Sequence, residues 1–181
     1  MYQIRIKMNS KSKVFTALVI IALFSRLLPH YPNFTAMGAL AFFSAFSGKN
    51  VVKSLALMAG TMIVTDLILN NIVYPTGEFV LMYAGSIFTY IGFAAYTLTG
   101  YLSKSRKGAA LGLIVGSLLF FAISNFGVWF SPISAYPKTV TGLLSAYTAA
   151  IPFYAPELLS SFLFSALAAY AEYRVKATAK A

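Results

Sequence analysis

From Lys13 to Tyr173 the chain alternates long apolar runs with short polar breaks, and six runs approach the length of a bilayer crossing. They extend over Lys13–Leu28, Asn33–Ser47, Val51–Asn70, Phe79–Leu102, Ala109–Phe130 and Pro156–Tyr173. A hydrocarbon core about 30 Å thick needs about 20 apolar residues in helical form. The runs are too long for barrel strands and do not alternate as such strands do. The pattern predicts an all-α membrane protein with six transmembrane helices, folded as a single polytopic membrane domain over residues 1–181.

One interval resists the pattern. Between the fifth and sixth runs lies "SPISAYPKTVTGLLSAYTAAIPFYAP", apolar yet interrupted by four prolines. We read residues 139–151 as a short extra helix on the outer face, interfacial or partly re-entrant. Irregular backbone at membrane depth is tolerated only where protein or a water-filled cavity covers it, so these prolines suggest a cap over something.

Composition supports the class: 59% of residues are hydrophobic and 10% charged, against about 25% charged in soluble domains. The net charge of +10 could point to nucleic acid, but its placement favours a membrane explanation. Twelve of the fourteen basic residues fall on one side of the six-span topology. They sit in the tails 1–12 and 174–181, at Lys13, Lys49 and Lys53, and in "SKSRKG". The positive-inside rule makes that side cytoplasmic. Both termini are then cytoplasmic, the location is the inner (cytoplasmic) membrane, and the partners are lipid rather than nucleic acid. A seventh span at 139–151 would put the basic C-terminal tail outside. The basic residues before Val14 resemble the start of a signal peptide, but no A-x-A cleavage pattern follows, so the first run reads as an uncleaved helix.

Candidate chemistry gathers toward the outer side. Pro29 and Pro32 end the first helix, and Asn33 is a good N-cap for the second. Fifteen residues from Asn33 to Ser47 make roughly 22 Å of helix, too short to cross unless the "PHYPN" turn is sunken. A sunken turn carries His30 and Asn33 into a depression. Arg26 and Asp66 each lie about one turn inside the membrane, and Asn125 and Trp129 are spaced i,i+4 near the outer end of the fifth run. Lys138 and Glu78 come from outer loops, while Glu157 next to Pro156 reads as an acidic helix start. Intramembrane ionisable groups usually face the bundle interior or a cavity. Each has a plainer role: Arg26 can snorkel or neutralise Asp66, His30 can bond backbone freed by the prolines, and Trp129 can join an aromatic belt.

Cysteine is absent and histidine occurs once, so no thiolate chemistry and no closed zinc site is available. No metal site, cofactor motif, hydrolase elbow or phosphate loop appears, and no enzyme activity is expected. In the second run, Gly38, Ala41 and Ala45 form a strip of small residues that allows close helix approach in lipid, either inside the bundle or against a partner.

Taken together, "RLLPHYPNFTAMGALAFFSAF", Asp66 after "MIVT", "SNFGVW" and "YPKTVTGLLSAYTAAIPFY" resemble an uncharacterised family of small bacterial integral membrane proteins. That family looks like the substrate-binding S components of energy-coupling-factor vitamin transporters, the solitary cobalamin type among them. The resemblance implies uptake of a small vitamin-like molecule through a pocket open to the outside. It also implies a transmembrane coupling subunit driven by ATPases, with Gly38, Ala41 and Ala45 as a docking strip. S components usually carry that motif in the first helix, and this chain has it in the second. In the cobalamin type a histidine after the first helix and a cysteine between the third and fourth approach the cobalt. His30 matches the former, and nothing here matches the latter. The expected ligand set is Arg26, His30, Asn33, Asp66, Asn125, Trp129 and Lys138, with Arg26 or Lys138 pairing an anionic group. The alternative is a scaffold or assembly protein whose polar residues only stabilise buried loops.

Overall fold

A helix apolar on every side ends up surrounded by protein, and α2 (Met37–Gly48) is such a helix. In the computed structural model, which describes residues 10–178, it forms the axis of the bundle. Around it pack α1 (Ser10–Leu27), α3 (Val51–Ile68), α4 (Ser86–Leu102), α5 (Arg106–Phe130) and α6 (Val140–Thr178), each touching it. The described residues contain no strand. Arg5, Lys7 and Lys180, with most of the two basic tails, lie outside the described residues.

Close approach to the axis depends on glycine. A Cβ on Gly100 of α4 would fall 2.2 Å from the Phe42 carbonyl oxygen of α2, and backbone cannot step aside. The Gly38, Ala41 and Ala45 strip is likewise internal: all three residues are buried, and a Cβ on Gly38 would collide with Ser161 of α6. Of the two roles open to this strip, inside the bundle or against a partner, the structure shows the internal one.

Hydrogen bonds tie the ends of the bundle together. Lys11 at the start of α1 donates to the Ser47 carbonyl at the end of α2, and the Ser47 hydroxyl donates to Glu172 near the end of α6. Lys49 reaches the carbonyls of Tyr101 and Ser103 at the end of α4. One end thus collects Lys11, Lys49 and Lys176, and successive helices alternate in direction. Outside, Leu159, Leu163 and Leu167 recur every fourth residue on an exposed face of α6, a pattern lipid favours and water does not. Three helices are long and apolar enough to cross a membrane: Val51–Val73, Arg106–Phe130 and Val140–Thr178.

The structure corrects three boundaries. First, α2 starts at Met37 and Asn33 does not cap it; Asn33 takes a left-handed conformation (φ 61°) inside the preceding turn. Instead the Ala36 N–H donates to Ser25 Oγ at 3.0 Å, which fixes the turn to α1. Second, α4 starts at Ser86 rather than Phe79. Asn71, in the wider π-type turn Leu69–Val73 that ends α3, exchanges two 2.8 Å hydrogen bonds with the Val80 backbone. That clasp holds residues 79–85 as loop, and Gly85 at φ 88° turns the chain into α4. Third, no separate helix caps the outer face; residues 140–151 are the first part of α6, which runs 39 residues through Pro152 and Pro156. The two prolines are four apart and share one face. Only the Thr148 and Pro152 carbonyls lose their i+4 donors, and the neighbouring face, with Gly142, Ala146 and Ala150, stays packed.

Candidate functional site

Because α2 is only twelve residues long, roughly 18 Å of helix, the turn before it sinks between the longer helices. The result is a cavity of about 410 Å³ at the end of the bundle opposite the lysines, within the range of about 300–1,000 Å³ typical of ligand pockets. Arg26 and the turn supply His30, Asn33 and Thr35. The Asn71 clasp brings Tyr74 and Tyr83 to another side. From α4 and α5 come Thr89, Phe93, Phe120, Phe121, Ser124, Asn125 and Val128; from α6 come Ala150, Phe153, Tyr154 and Glu157.

Arg26 is held before any ligand arrives. Its guanidinium donates to Asp66 Oδ1 at 2.7 Å, to Thr65 Oγ1 at 2.5 Å and to Met62 Sδ at 2.9 Å. Asp66 is 1% exposed and takes a second hydrogen bond from Tyr90 Oη at 2.7 Å. The positive charge at the cavity wall is thereby neutralised from behind. His30 is exposed, and its Nδ1 lies 2.7 Å from the Tyr31 carbonyl, so it both bonds the turn and faces the cavity. Asn125 donates from Nδ2 to the Phe121 carbonyl of its own helix at 2.8 Å.

The most buried polar residue of the lining is Glu157, 6% exposed. Tyr96 Oη of α4 donates to Oε1 at 2.8 Å, Ser161 Oγ donates to the same oxygen at 3.1 Å, and Ser117 Oγ of α5 donates to Oε2. Gly38 of α2 leaves the room: a Cβ there would lie 3.1 Å from Oε1. The first turn of α2, the partially positive end of its dipole, therefore abuts the carboxyl group. No lysine or arginine pairs with Glu157 among the described residues.

Of the residues singled out from the sequence, Arg26, His30, Asn33 and Asn125 line the cavity, and Asp66 lies behind Arg26. Trp129 and Lys138 are not part of the lining. Trp129 Nε1 donates to the Pro137 carbonyl at 2.9 Å, and Lys138 donates to the carbonyls of Trp129 and Ser131. Those bonds cap the end of α5 and close its connection to α6. Arg26 is thus already paired with Asp66, and Lys138 bonds carbonyls outside the cavity.

The match that classifies the sequence covers residues 6–180 and is to a family of unknown function (DUF6580). The chain belongs to that family. No curated protein and no solved structure matches it. In this DUF6580 member the features that sequence reasoning missed are Glu157 and the aromatic walls from α4 to α6. The signal for Glu157 was present, since it is one of only four acidic residues and lies in a serine-bearing apolar stretch, "PELLSSFLFS". Among the described residues no group of histidine and acidic side chains could hold a metal ion.

Proposed function

We propose that this chain is a substrate-binding membrane subunit that takes a small, vitamin-like molecule from the outer face, in the manner of the S components it resembles. The observation that carries the reading is the cavity: about 410 Å³, aromatic-walled, with polar groups converging from five segments of the chain. A scaffold has no need of such a space, and filling it with apolar side chains would add packing energy. The cavity lies at the end away from twelve of the fourteen basic residues, so a positive-inside orientation opens it outward, with six spans and both termini in the cytoplasm. No nucleotide-binding element accompanies it, so energy for release inward would come from a coupling partner with ATPases. With the Gly38, Ala41 and Ala45 strip internal, such a partner would dock on another face. The test is native mass spectrometry of protein purified from its own host. One small molecule per chain, lost in an Ala150→Trp variant that fills the cavity, supports the reading; a clean apo spectrum favours the scaffold.

A further inference from the structure

The four acidic residues of this chain have three different fates. Asp66 is ion-paired with Arg26, and Glu172 with Lys176. Glu78 stands exposed in the outer loop. Glu157 alone is buried without a cation, and it is also the acid that lines the cavity. Hydroxyl groups and the start of α2 supply partial positive charge around it, as they would around an anion whose full counter-charge comes from elsewhere.

From this we infer that the cavity takes a cationic ligand, an organic ammonium or pyridinium-like group, with Glu157 as its counter-charge. The inference rests on the small-molecule reading above and adds the ligand's charge. The walls agree with it. Phe93, Phe120, Phe121, Phe153 and Tyr154 line the same cavity as Glu157, and aromatic faces attract cations most where water is excluded. An anion fares badly on both counts. It would meet the Glu157 charge, and the one arginine at the wall already has its carboxylate partner. Burying a like charge beside Glu157 is opposed, whereas a cation completes the neutralisation.

Three probes of one shape separate the charges: 1-methylnicotinamide (cation), m-toluamide (its neutral carbon isostere) and m-toluate (anion). Binding is measured by calorimetry on the full chain in lipid nanodiscs. The wild type should bind the cation about tenfold or more tighter than the neutral isostere, and the anion weakest. Glu157→Gln keeps the shape, retains one acceptor oxygen for Tyr96 and Ser161 and removes the charge, with Ser117 turning to accept from the new amide. It should weaken the cation by about thirtyfold or more and leave m-toluamide within about twofold. Equal binding of cation and isostere by the wild type overturns the inference, and that comparison needs no variant to fold. A cation preference that survives Glu157→Gln overturns the role of Glu157. Binding of only m-toluamide or m-toluate, abolished by Ala150→Trp, sinks the charge assignment and leaves the small-molecule reading standing. If no probe of any charge binds, the charge inference falls, while the small-molecule reading is decided separately by native mass spectrometry.

Discussion

Arg26 and Asp66 should behave as one unit, and the structure sets the scale of the effect. The guanidinium and carboxylate meet at 2.7 Å, with Asp66 1% exposed. Coulomb attraction at that distance is about 6 kcal/mol with an effective dielectric of about 20, most of it offset by the cost of stripping water from both ions. The offset is what makes single and double changes differ. Arg26→Met keeps length and apolar bulk but leaves a buried carboxylate with Tyr90 as its remaining partner. Asp66→Asn leaves a partly buried guanidinium with Thr65 and Met62. Breaking one half of a buried pair typically costs about 3–5 kcal/mol, and insertion scales put a lone charge at mid-membrane at about 2.5–3.5 kcal/mol. The double variant Arg26→Met/Asp66→Asn has no charge to strand, and its asparagine still accepts from Tyr90.

The double variant should therefore lose less stability than either single one, with a coupling energy of about 2–4 kcal/mol. The assay is denaturant unfolding of the four proteins in one detergent, followed by tryptophan fluorescence from Trp129. Because the pair is buried, raising salt should change the coupling little. Losses that simply add would refute the reasoning, showing that each side chain is worth something independent of the other.

Other substitutions test the remaining architecture. Gly100→Ala should destabilise by about 1–3 kcal/mol because its Cβ meets the Phe42 carbonyl at 2.2 Å. Gly60→Ala in α3 meets nothing within 4 Å and should stabilise by about 0.5–1 kcal/mol; the same unfolding assay reads both, and equal effects would contradict the packing. Asn125→Leu should leave stability within about 1 kcal/mol, since its bond is to its own helix, yet weaken retention of the native ligand in mass spectrometry; unchanged retention would remove Asn125 from the site. A reporter fused to the C-terminus should read cytoplasmic, and a periplasmic signal would reverse the cavity's orientation.

What the sequence disclosed follows from which signals are local. The helical runs and the turn at "PHYPN" are consequences of hydropathy and proline placement, and the structure shows the helices, the turn at the cavity and the meeting of Arg26 with Asp66. The boundaries at 33 and 79 failed because each depended on a tertiary bond, from Ser25 to Ala36 and from Asn71 to Val80. The small-residue strip in α2 was legible as a close-approach surface, but whether it meets this chain or another is decided by where five other helices pack.

The treatment of the prolines had the largest consequence for the site. Taking Pro156 as a helix start turned its neighbour Glu157 into a first-turn acid, which lies at an interface and interacts with a dipole. Two prolines four residues apart can instead remain in one helix, since each removes a donor on the same side and the neighbouring faces keep their bonds. Glu157 then becomes the eighteenth residue of a helix of 39, at the level of Tyr96, Ser117 and Gly38 rather than at the surface. At that depth an acid must have a charge partner, a proton or a ligand, and the nearest candidates in this chain are hydroxyls. The same carboxyl group is a terminal ornament in one reading and the floor of the cavity in the other, and continuity of the helix decides between them.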